Sequence, residues 1–163
     1  FLLMAYHQPS QLPGTIVRFF NIVGPRQTGK YGMVIPRFVQ AAVNGKPIRV
    51  FGSGKQTRCF CHVADTVRAL AALPDKREAY GQIYNIGSQN SISMMQLAEK
   101  VIEVLHSNSS IELIPYEQAY AKGFEDMMRR SPDTAKIKKL LGWQPERSLE
   151  DIINDVANEM RHS

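Results

Sequence analysis

The chain has 163 residues, of which 44% are hydrophobic and 21% charged, and its formal net charge is +5. This composition excludes a disordered or low-complexity chain and is sufficient for a domain with a hydrophobic core. No run approaches the roughly 18 to 20 apolar residues of a membrane-spanning helix, and the N-terminus does not resemble a signal peptide. We therefore expect a soluble, cytoplasmic protein that has no membrane partner.

The positive charge makes an anionic partner plausible, and nucleic acid is one candidate class. The lysines and arginines are scattered, however, and the dense group Lys136, Lys138 and Lys139 lies on a predicted helix, where such groups are usually solvated. The sequence has no clustered basic stripe of the kind that binds nucleic acid. We therefore expect a small phosphorylated ligand held by isolated arginines, and no nucleic acid.

The first half alternates strand-like and helix-like segments. Phe1 to His7 is typical of the end of an apolar helix stopped by Pro9, and Thr15 to Phe20 is typical of a buried strand. The segments that follow are predicted as a glycine-rich loop (Gly24 to Gly32), a helix (Val34 to Val43), a strand (Ile48 to Phe51), a turn (Gly52 to Gly54), an extended segment (Gln56 to Cys61) and a helix (Val63 to Leu73). The residues that share one side of this last helix are Val63, Val67, Leu70 and Ala71.

The second half has clear helix starts. Ser93 with Gln96, and Ser148 with Asp151, have the spacing of reciprocal helix caps. The other predicted elements are strands at Ile83 to Ile86 and Ile111 to Ile114, a loop from Tyr116 to Met128, and a short helix that begins at Ser131-Pro132 and ends at Gly142. Trp143 is expected to pack the last two helices together. Short strands alternating with longer helices predict an α/β domain.

The sulfur and imidazole groups do not predict a metal or redox site. Cys59 and Cys61 would point to one face of a strand, and their spacing matches neither a disulfide nor a C-x-x-C site, so we interpret them as structural thiols. The four histidines show no metal-ligand spacing. His62 and Asp65 lie three residues apart at a helix start. They form either a catalytic dyad or, as we favour, a stabilised helix end.

Several motifs follow one another along the chain. They are R-F-F-N-I-V-G-P-R (Arg18 to Arg26), I-R-V-F-G-S-G-K-Q-T-R-C-F-C-H-V-A-D (Ile48 to Asp65), Y-N-I-G (Tyr84 to Gly87), R-S-P-D (Arg130 to Asp133) and L-G-W-Q-P (Leu141 to Pro145). In this order they resemble the C-terminal half of the extended short-chain dehydrogenases/reductases, the NAD-dependent nucleotide-sugar epimerases, dehydratases and decarboxylases. The segment G-F-E-D-M (Gly123 to Met127) is similar to sequences related to UDP-glucose 4-epimerase or UDP-glucuronate decarboxylase.

The resemblance implies a Rossmann-type α/β fold. Residues 1–163 would hold the last strands of the parallel sheet and the small substrate-binding subdomain, and the N-terminal NAD-binding half would be absent. The family's glycine-rich turn G-x-x-G-x-x-G does not occur in this sequence, and no lysine has a tyrosine four positions earlier, the spacing of the catalytic pair. By itself the chain is therefore predicted to contain no catalytic residue. With the face of Thr15 to Phe20 open, it is expected to self-associate or to be marginally stable.

The residues that match the family's nucleotide-sugar site are candidates for binding. By resemblance, Arg58 and Arg130 contact the diphosphate or ribose, and guanidinium groups suit phosphate geometry. The alternatives are ion pairs with Asp65 or Glu125, and Arg129 in the place of Arg130. Asn21 would donate its amide to a phosphate or sugar oxygen, or would only shape the turn after its strand.

Other matches concern the base and the cofactor. The positions that would line the slot for the base are Ile35, Pro36, Val50 and Phe51, all of which a core helix or strand would also contain. Arg26 is assigned to the cofactor side or to anchoring its own loop. Lys30 and Tyr31 lie in a loop that could cover the sugar, although exposed loop residues are the simpler interpretation.

The sequence thus predicts the nucleotide-sugar-binding portion of an NAD-dependent enzyme. Its ligand would be a nucleoside diphosphate sugar, with a UDP-sugar and 4-epimerisation favoured over decarboxylation and dehydration. The resemblance also implies NAD as the cofactor of the full-length enzyme and a homodimer. The alternative from a different functional class is a non-catalytic nucleotide-binding module of the same ancestry.

Overall fold

The computed structural model describes residues 2–10, 12–29, 32–116 and 127–162. The chain divides into two compact units, each built from three stretches of sequence. Unit 1 consists of Phe1–Ile22, Cys59–Asn90 and Ser131–Arg147, and unit 2 consists of Val23–Arg58, Ser91–Arg130 and Ser148–Ser163. None of the helices in the described ranges is long and apolar enough to cross a membrane.

Helices and strands alternate along the chain. The helices are α1 (Leu2–Ser10), α2 (Val34–Val43), α3 (Val63–Ala72), α4 (Met94–Leu105), α5 (Ala135–Leu141) and α6 (Leu149–His162). The strands are β1 (Ile16–Phe19), β2 (Ile22–Val23), β3 (Ile48–Phe51), β4 (Thr57–Cys59), β5 (Cys61–His62), β6 (Ile83–Ile86), β7 (Ser91–Ser93), β8 (Ile111–Ile114) and β9 (Arg129–Arg130). The predicted α/β class is confirmed, and α2, β3, β6 and β8 have the predicted bounds.

Unit 1 is organised around the parallel pair β1 and β6, in which Ile16 lies opposite Ile83 and Phe19 opposite Ile86. Its core contains Cys61, Ala69, Leu73, Ala79, Tyr84, Ile86, Ile137 and Trp143. Trp143 thus packs with residues of α3, β6 and α5 within unit 1, and its predicted packing against the last helix stays a prediction. Both cysteines are free and buried, as predicted.

Unit 2 is organised around the parallel pair β3 and β8, in which Val50 lies opposite Leu113. Helices α2, α4 and α6 pack together beside it. The side chains they bury are aliphatic, including Ile35, Val39, Leu97, Val101, Ile152, Ile153 and Val156. Both predicted caps are confirmed: Ser93 and Gln96 form a reciprocal capping box at α4, and Ser148 and Asp151 exchange hydrogen bonds at α6.

Three local predictions differ from the structure. Strand β1 is not fully buried, and Phe19 at its end is 50% exposed, because among the described residues β1 pairs along one edge, with β6. Helix α1 continues through Pro9 to Ser10, whose hydroxyl donates to the carbonyl of Tyr6. Helix α5 begins at Ala135 rather than at Pro132, and the carboxylate of Asp133 accepts a hydrogen bond from the Ala135 amide.

The apolar side of α3 is exposed. Val63, Val67 and Leu70 are 36%, 55% and 37% exposed, whereas the buried side of the helix carries Asp65, Thr66 and Ala69. Polar residues can occupy a buried helix face only where hydrogen bonds satisfy them. The partners of Asp65, described below, therefore explain the orientation of this helix, and the apolar side remains as an outward-facing stripe.

Three short strands were not expected. β2 and β9 contain two residues each and β7 contains three, too few to show the alternation that identifies a strand. The loop predicted from Tyr116 to Met128 falls mainly in residues 117–126, which lie outside the described residues.

Candidate functional site

Arg58 and Arg130 lie side by side on neighbouring strands of unit 2. Strands β4 and β9 are parallel, and Arg58 is the register partner of Arg130 while Thr57 is the partner of Arg129. Residues in register on adjacent strands project from the same face of the ladder, and the next residue projects from the other face. The structure therefore brings together the two arginines assigned to the diphosphate, and it places Arg129 on the opposite face.

The guanidinium of Arg58 is held by backbone carbonyls. Its Nη1 donates to the carbonyl of Thr57 at 2.8 Å and to that of Met127 at 2.6 Å. These bonds fix the direction of a side chain that would otherwise have many rotamers. Of the alternative ion-pair partners, Asp65 is bonded to Arg68 at 3.0 Å, and Glu125 lies outside the described residues.

Asn21 adopts a left-handed backbone conformation, with φ of 44°. Its side-chain Nδ2 donates to the carbonyl of Cys59 at 2.8 Å, and its own carbonyl accepts from the Cys61 amide at 3.2 Å. Asparagine tolerates this conformation better than most residues. The structure thus gives Asn21 the turn-forming role, and a contact with a phosphate or sugar oxygen stays a prediction.

The predicted base slot consists of core residues and one accessible ring. Ile35, Pro36 and Val50 are buried in unit 2, whereas Phe51, at the carboxyl end of β3, is half-buried. The guanidinium carbon of Arg37 lies 5.0 Å from the centre of the Phe51 ring. Gln56 donates from Nε2 to the Phe51 carbonyl at 3.0 Å, which links the end of β3 to the segment leading into Arg58.

Arg37 was not predicted as a site residue. It lies in α2 among Ile35, Pro36 and Phe38, all buried. A lone cation amid apolar helix residues is the signal that could have identified it. Such a residue also occurs wherever a long side chain reaches from a helix to solvent, so the signal is weak without the position of Phe51.

The remaining loop predictions concern Arg26, which the structure describes, and the pair Lys30 and Tyr31, which it does not. Arg26 is exposed and has a φ of 66°, which is uncommon for a residue other than glycine. An exposed guanidinium in a turn agrees with either of its predicted roles. Lys30 and Tyr31 lie outside the described residues.

His62 and Asp65 form a structural cluster in unit 1. His62 Nδ1 accepts a hydrogen bond from the Ala64 amide at 3.0 Å and thereby caps α3. The Asp65 carboxylate accepts from the amides of Glu146 and Arg147 and from the guanidinium of Arg68. Trp143 donates from Nε1 to the Asp65 carbonyl at 2.9 Å. These bonds support the structural interpretation of the two residues over a catalytic dyad.

The thiol of Cys61 is protected from ionisation. Burial raises its pKa to about 11, and the hydrogen bond from Thr66 offsets only part of this effect. A neutral thiol is a weak nucleophile and a poor metal ligand. Within the described residues, no group of three or more histidine, cysteine, aspartate or glutamate side chains could hold a metal ion.

Unit 1 also contains an open cavity of about 340 Å³. It is lined by Pro13, Thr15, Val17, Leu70, Leu73, Pro74 and Tyr80. The two hydroxyls in this lining donate to backbone carbonyls, Thr15 to Ala79 and Tyr80 to Pro74. The cavity therefore presents mainly apolar surface and does not resemble a site for a charged ligand.

Comparison with known proteins identifies the family. Residues 1–156 match the family model described as GDP-mannose 4,6 dehydratase. The chain belongs to the NAD-dependent nucleotide-sugar epimerase/dehydratase family of extended short-chain dehydrogenases/reductases. The resemblance inferred from the motifs is thereby confirmed.

Two curated relatives of this chain are decarboxylases. A UDP-N-acetyl-alpha-D-glucosaminuronate decarboxylase from Bacillus cytotoxicus is 42% identical over 92% of this chain and 47% of its own length. UDP-glucuronic acid decarboxylase 2 of Arabidopsis thaliana is 38% identical over 98% of this chain and 34% of its own length. The chain thus spans half or less of the length of these relatives.

A solved structure confirms the Rossmann-type fold of this chain. A UDP-glucuronic acid 4-epimerase from Bacillus cereus, in complex with UDP-glucuronic acid and NAD, is 25% identical with a TM-score of 0.84. The match covers 99% of this chain and 49% of the epimerase chain.

Among the predicted site residues, Arg26 is the one assigned to NAD. Its exposed guanidinium suits an anionic group of such a cofactor, and NAD binding by this chain stays a prediction.

Proposed function

We propose that Arg58 and Arg130 bind the diphosphate of a nucleoside diphosphate sugar, and that the chain is the substrate-binding portion of an NAD-dependent enzyme acting on a UDP-sugar. The observation that carries this proposal is the register of β4 and β9, which sets the two arginines side by side. Like charges directly opposite on neighbouring strands repel each other, so an anion held between them is favoured. A diphosphate supplies both the opposite charge and the oxygen geometry that forked guanidinium donors match.

A UDP-linked uronic acid is the favoured substrate class. The two decarboxylase relatives and the solved 4-epimerase all carry the names of UDP-linked uronic acids. Because the relatives at 42% and 38% identity are decarboxylases, we favour loss of the carboxyl group as CO2. The 4-epimerisation predicted from the sequence is the second candidate, and the name of the Bacillus cereus enzyme supports it.

The two reactions differ in what happens to the acid, not in how the nucleotide is held. In the full-length protein, NAD would supply the reversible oxidation of a sugar carbon. The residues of this chain would bind and orient the diphosphate, so that the sugar is held at a fixed place while the reaction proceeds. A family tyrosine with its lysine is not part of this sequence, so no proton transfer is assigned to its residues.

The reaction is tested by incubating the full-length protein with NAD and UDP-glucuronic acid and weighing the product by mass spectrometry. Decarboxylation removes the mass of CO2 and releases the gas, whereas 4-epimerisation leaves the mass unchanged and gives a second chromatographic peak. An unchanged substrate in the presence of bound UDP-sugar would instead support the non-catalytic module.

Binding is tested by calorimetric titration of the full-length protein with UDP, comparing Arg58→Ala with Arg49→Ala. Arg49 is an exposed arginine of unit 2 that pairs with Glu112 at 3.2 Å, so it controls for loss of one positive charge. Charge-assisted hydrogen bonds contribute about 1.5–3 kcal/mol, so Arg58→Ala should weaken UDP binding about tenfold or more. Equal weakening by the two variants would contradict the assignment of the site. A cytoplasmic location and a homodimer of the full-length enzyme stay predictions.

A further inference from the structure

Arg37 is a half-buried cation of unit 2 that no carboxylate neutralises among the described residues. Its guanidinium lies over the half-buried ring of Phe51, 5.0 Å from the ring centre. Its stem packs beside Gly29, where an added Cβ would come within 3.0 Å of the Arg37 Cγ. The side chain is therefore held between the loop before α2 and the end of β3.

By comparison, Arg49 and Lys100 of the same unit have acidic partners. Arg49 pairs with Glu112 at 3.2 Å, and Lys100 pairs with Glu103 at 3.3 Å and with Glu150 at 2.6 Å. A guanidinium taken partly out of water needs compensation, and an aromatic face supplies only part of it. Arg37 thus keeps N–H donors beside the Phe51 ring, and the described residues offer them no carboxylate.

The two ends of the proposed nucleotide site lie in the same unit. Phe51 and Arg37 mark one end, and Arg58 with Arg130 marks the other. The hydrogen bond from Gln56 to the Phe51 carbonyl connects the two ends, because Gln56 leads directly into β4. A nucleotide whose diphosphate lies at the arginine pair would then place its base toward the Phe51 end.

We propose that Arg37 selects the base, by donating to the O4 carbonyl oxygen of a uracil or thymine ring next to Phe51. This inference rests on the proposed function. A guanidinium only donates hydrogen bonds. The O4 atom of uracil and thymine accepts a hydrogen bond, whereas the exocyclic N4 group of cytosine donates one. An arginine at this place therefore bonds to uracil or thymine and faces a second donor in cytosine. Arg37 is accordingly a specificity-determining residue for UDP over CDP.

The test is the ratio of the dissociation constants of CDP and UDP, measured by calorimetry on the full-length protein and its variants. The unmodified protein is expected to prefer UDP by about tenfold or more, the range that one good hydrogen-bonding contact to a base provides. Arg37→Met keeps the apolar stem but removes the donors, and it should bring the ratio to about one, mainly by weakening UDP. Arg37→Lys keeps the charge without the fork and should give an intermediate ratio.

Two controls separate this inference from the proposed function. Arg49→Met removes an equivalent charge elsewhere in unit 2 and should leave the ratio unchanged. Arg58→Ala should weaken UDP and CDP alike and also preserve the ratio. If neither nucleotide binds the unmodified protein, the proposed function fails and this inference with it. If UDP binds but Arg37→Met or Arg37→Lys, folded by its thermal melt, retains the full preference, the inference alone is overturned.

Discussion

Unit 1 buries ionisable side chains beside its apolar core, whereas unit 2 is built on an aliphatic core. The buried residues of unit 1 include Asp65 and His62, each with hydrogen-bond partners inside the unit. The largest fully buried side chains of unit 2 are aliphatic, among them Ile35, Leu97 and Ile153. On their surfaces, unit 1 exposes the apolar stripe of α3, and unit 2 presents arginines on β4 and β9.

One sequence motif contributes residues to both units. The segment from Arg58 to Asp65 begins in unit 2 and ends in unit 1. Asp65 is held by partners within unit 1 and belongs to its scaffold, whereas Arg58 lies in register with Arg130 and is assigned to the proposed diphosphate site. Residues of one motif can therefore have unrelated functions.

The largest expected effect concerns the buried carboxylate of unit 1. Asp65→Ala leaves two amides and a guanidinium without their acceptor, and we expect it to lower the free energy of unfolding by about 3 kcal/mol. Denaturant unfolding of the full-length protein measures this loss. The control is Glu146→Ala, which removes an exposed partner of Arg68 and should change stability by less than about 1 kcal/mol. Similar values for the two variants would show that Asp65 is not central to unit 1.

A second prediction examines a backbone position in unit 2. Gly52 and Gly45 both have left-handed φ values, of 68° and 62°, but an added Cβ at Gly52 would overlap the Tyr116 ring, whereas nothing lies near Gly45. Gly45→Ala should cost about 1 kcal/mol for its backbone conformation, and Gly52→Ala about 1 kcal/mol more. Adding Tyr116→Ala to each variant should remove the difference between them. A difference that persists would show that the Tyr116 ring is not its cause.

The third prediction concerns pH and returns to unit 1. Because the pKa of Cys61 is raised from 9.0 to about 11 by burial, the folded state holds the thiol proton more tightly than the unfolded state. This contribution to stability is complete below about pH 9 and is lost as the pH rises toward 11. By pH 10 the free energy of unfolding should have fallen by about 1 kcal/mol. Unfolding curves of the unmodified protein and Cys61→Ala between pH 8 and pH 11 measure it as a converging difference. A constant difference would place the thiol in contact with water.

Much of the fold could be predicted because the information was local. The spacing of apolar residues gave the bounds of α2, and the cap residues gave the starts of α4 and α6. The strands β2 and β9 could not be predicted, since a two-residue strand is defined by a partner distant in the chain. The same limit applies to the site. Arg58 and Arg130 were identified singly from motifs, but their register and the approach of Arg37 to Phe51 depend on tertiary packing.

Helix α3 shows why apolar spacing alone is an incomplete guide to burial. Its stripe of Val63, Val67 and Leu70 has the spacing of a core face, yet the structure buries the side that carries Asp65. The hydrogen bonds of Asp65 and Trp143 connect α3 to a segment far along the chain, and they fix which side faces inward. Sequence periodicity cannot show such long-range partners, so it identified the stripe without its orientation.

The smallest expected effect on stability follows from that stripe, although its effect on association should be large. Val67 is 55% exposed, so Val67→Lys should leave the free energy of unfolding of the 163-residue chain within about 0.5 kcal/mol. A charge in the middle of an apolar patch opposes the burial of that patch between molecules. Light scattering over a range of concentrations should therefore show less self-association than in the unmodified chain.

The control is Gln40→Lys, which adds the same charge at an exposed position of α2 in unit 2 and should have little effect on association. Association reduced equally by both variants would point to net charge as the cause, whereas a reduction confined to Val67→Lys would assign the contact to unit 1.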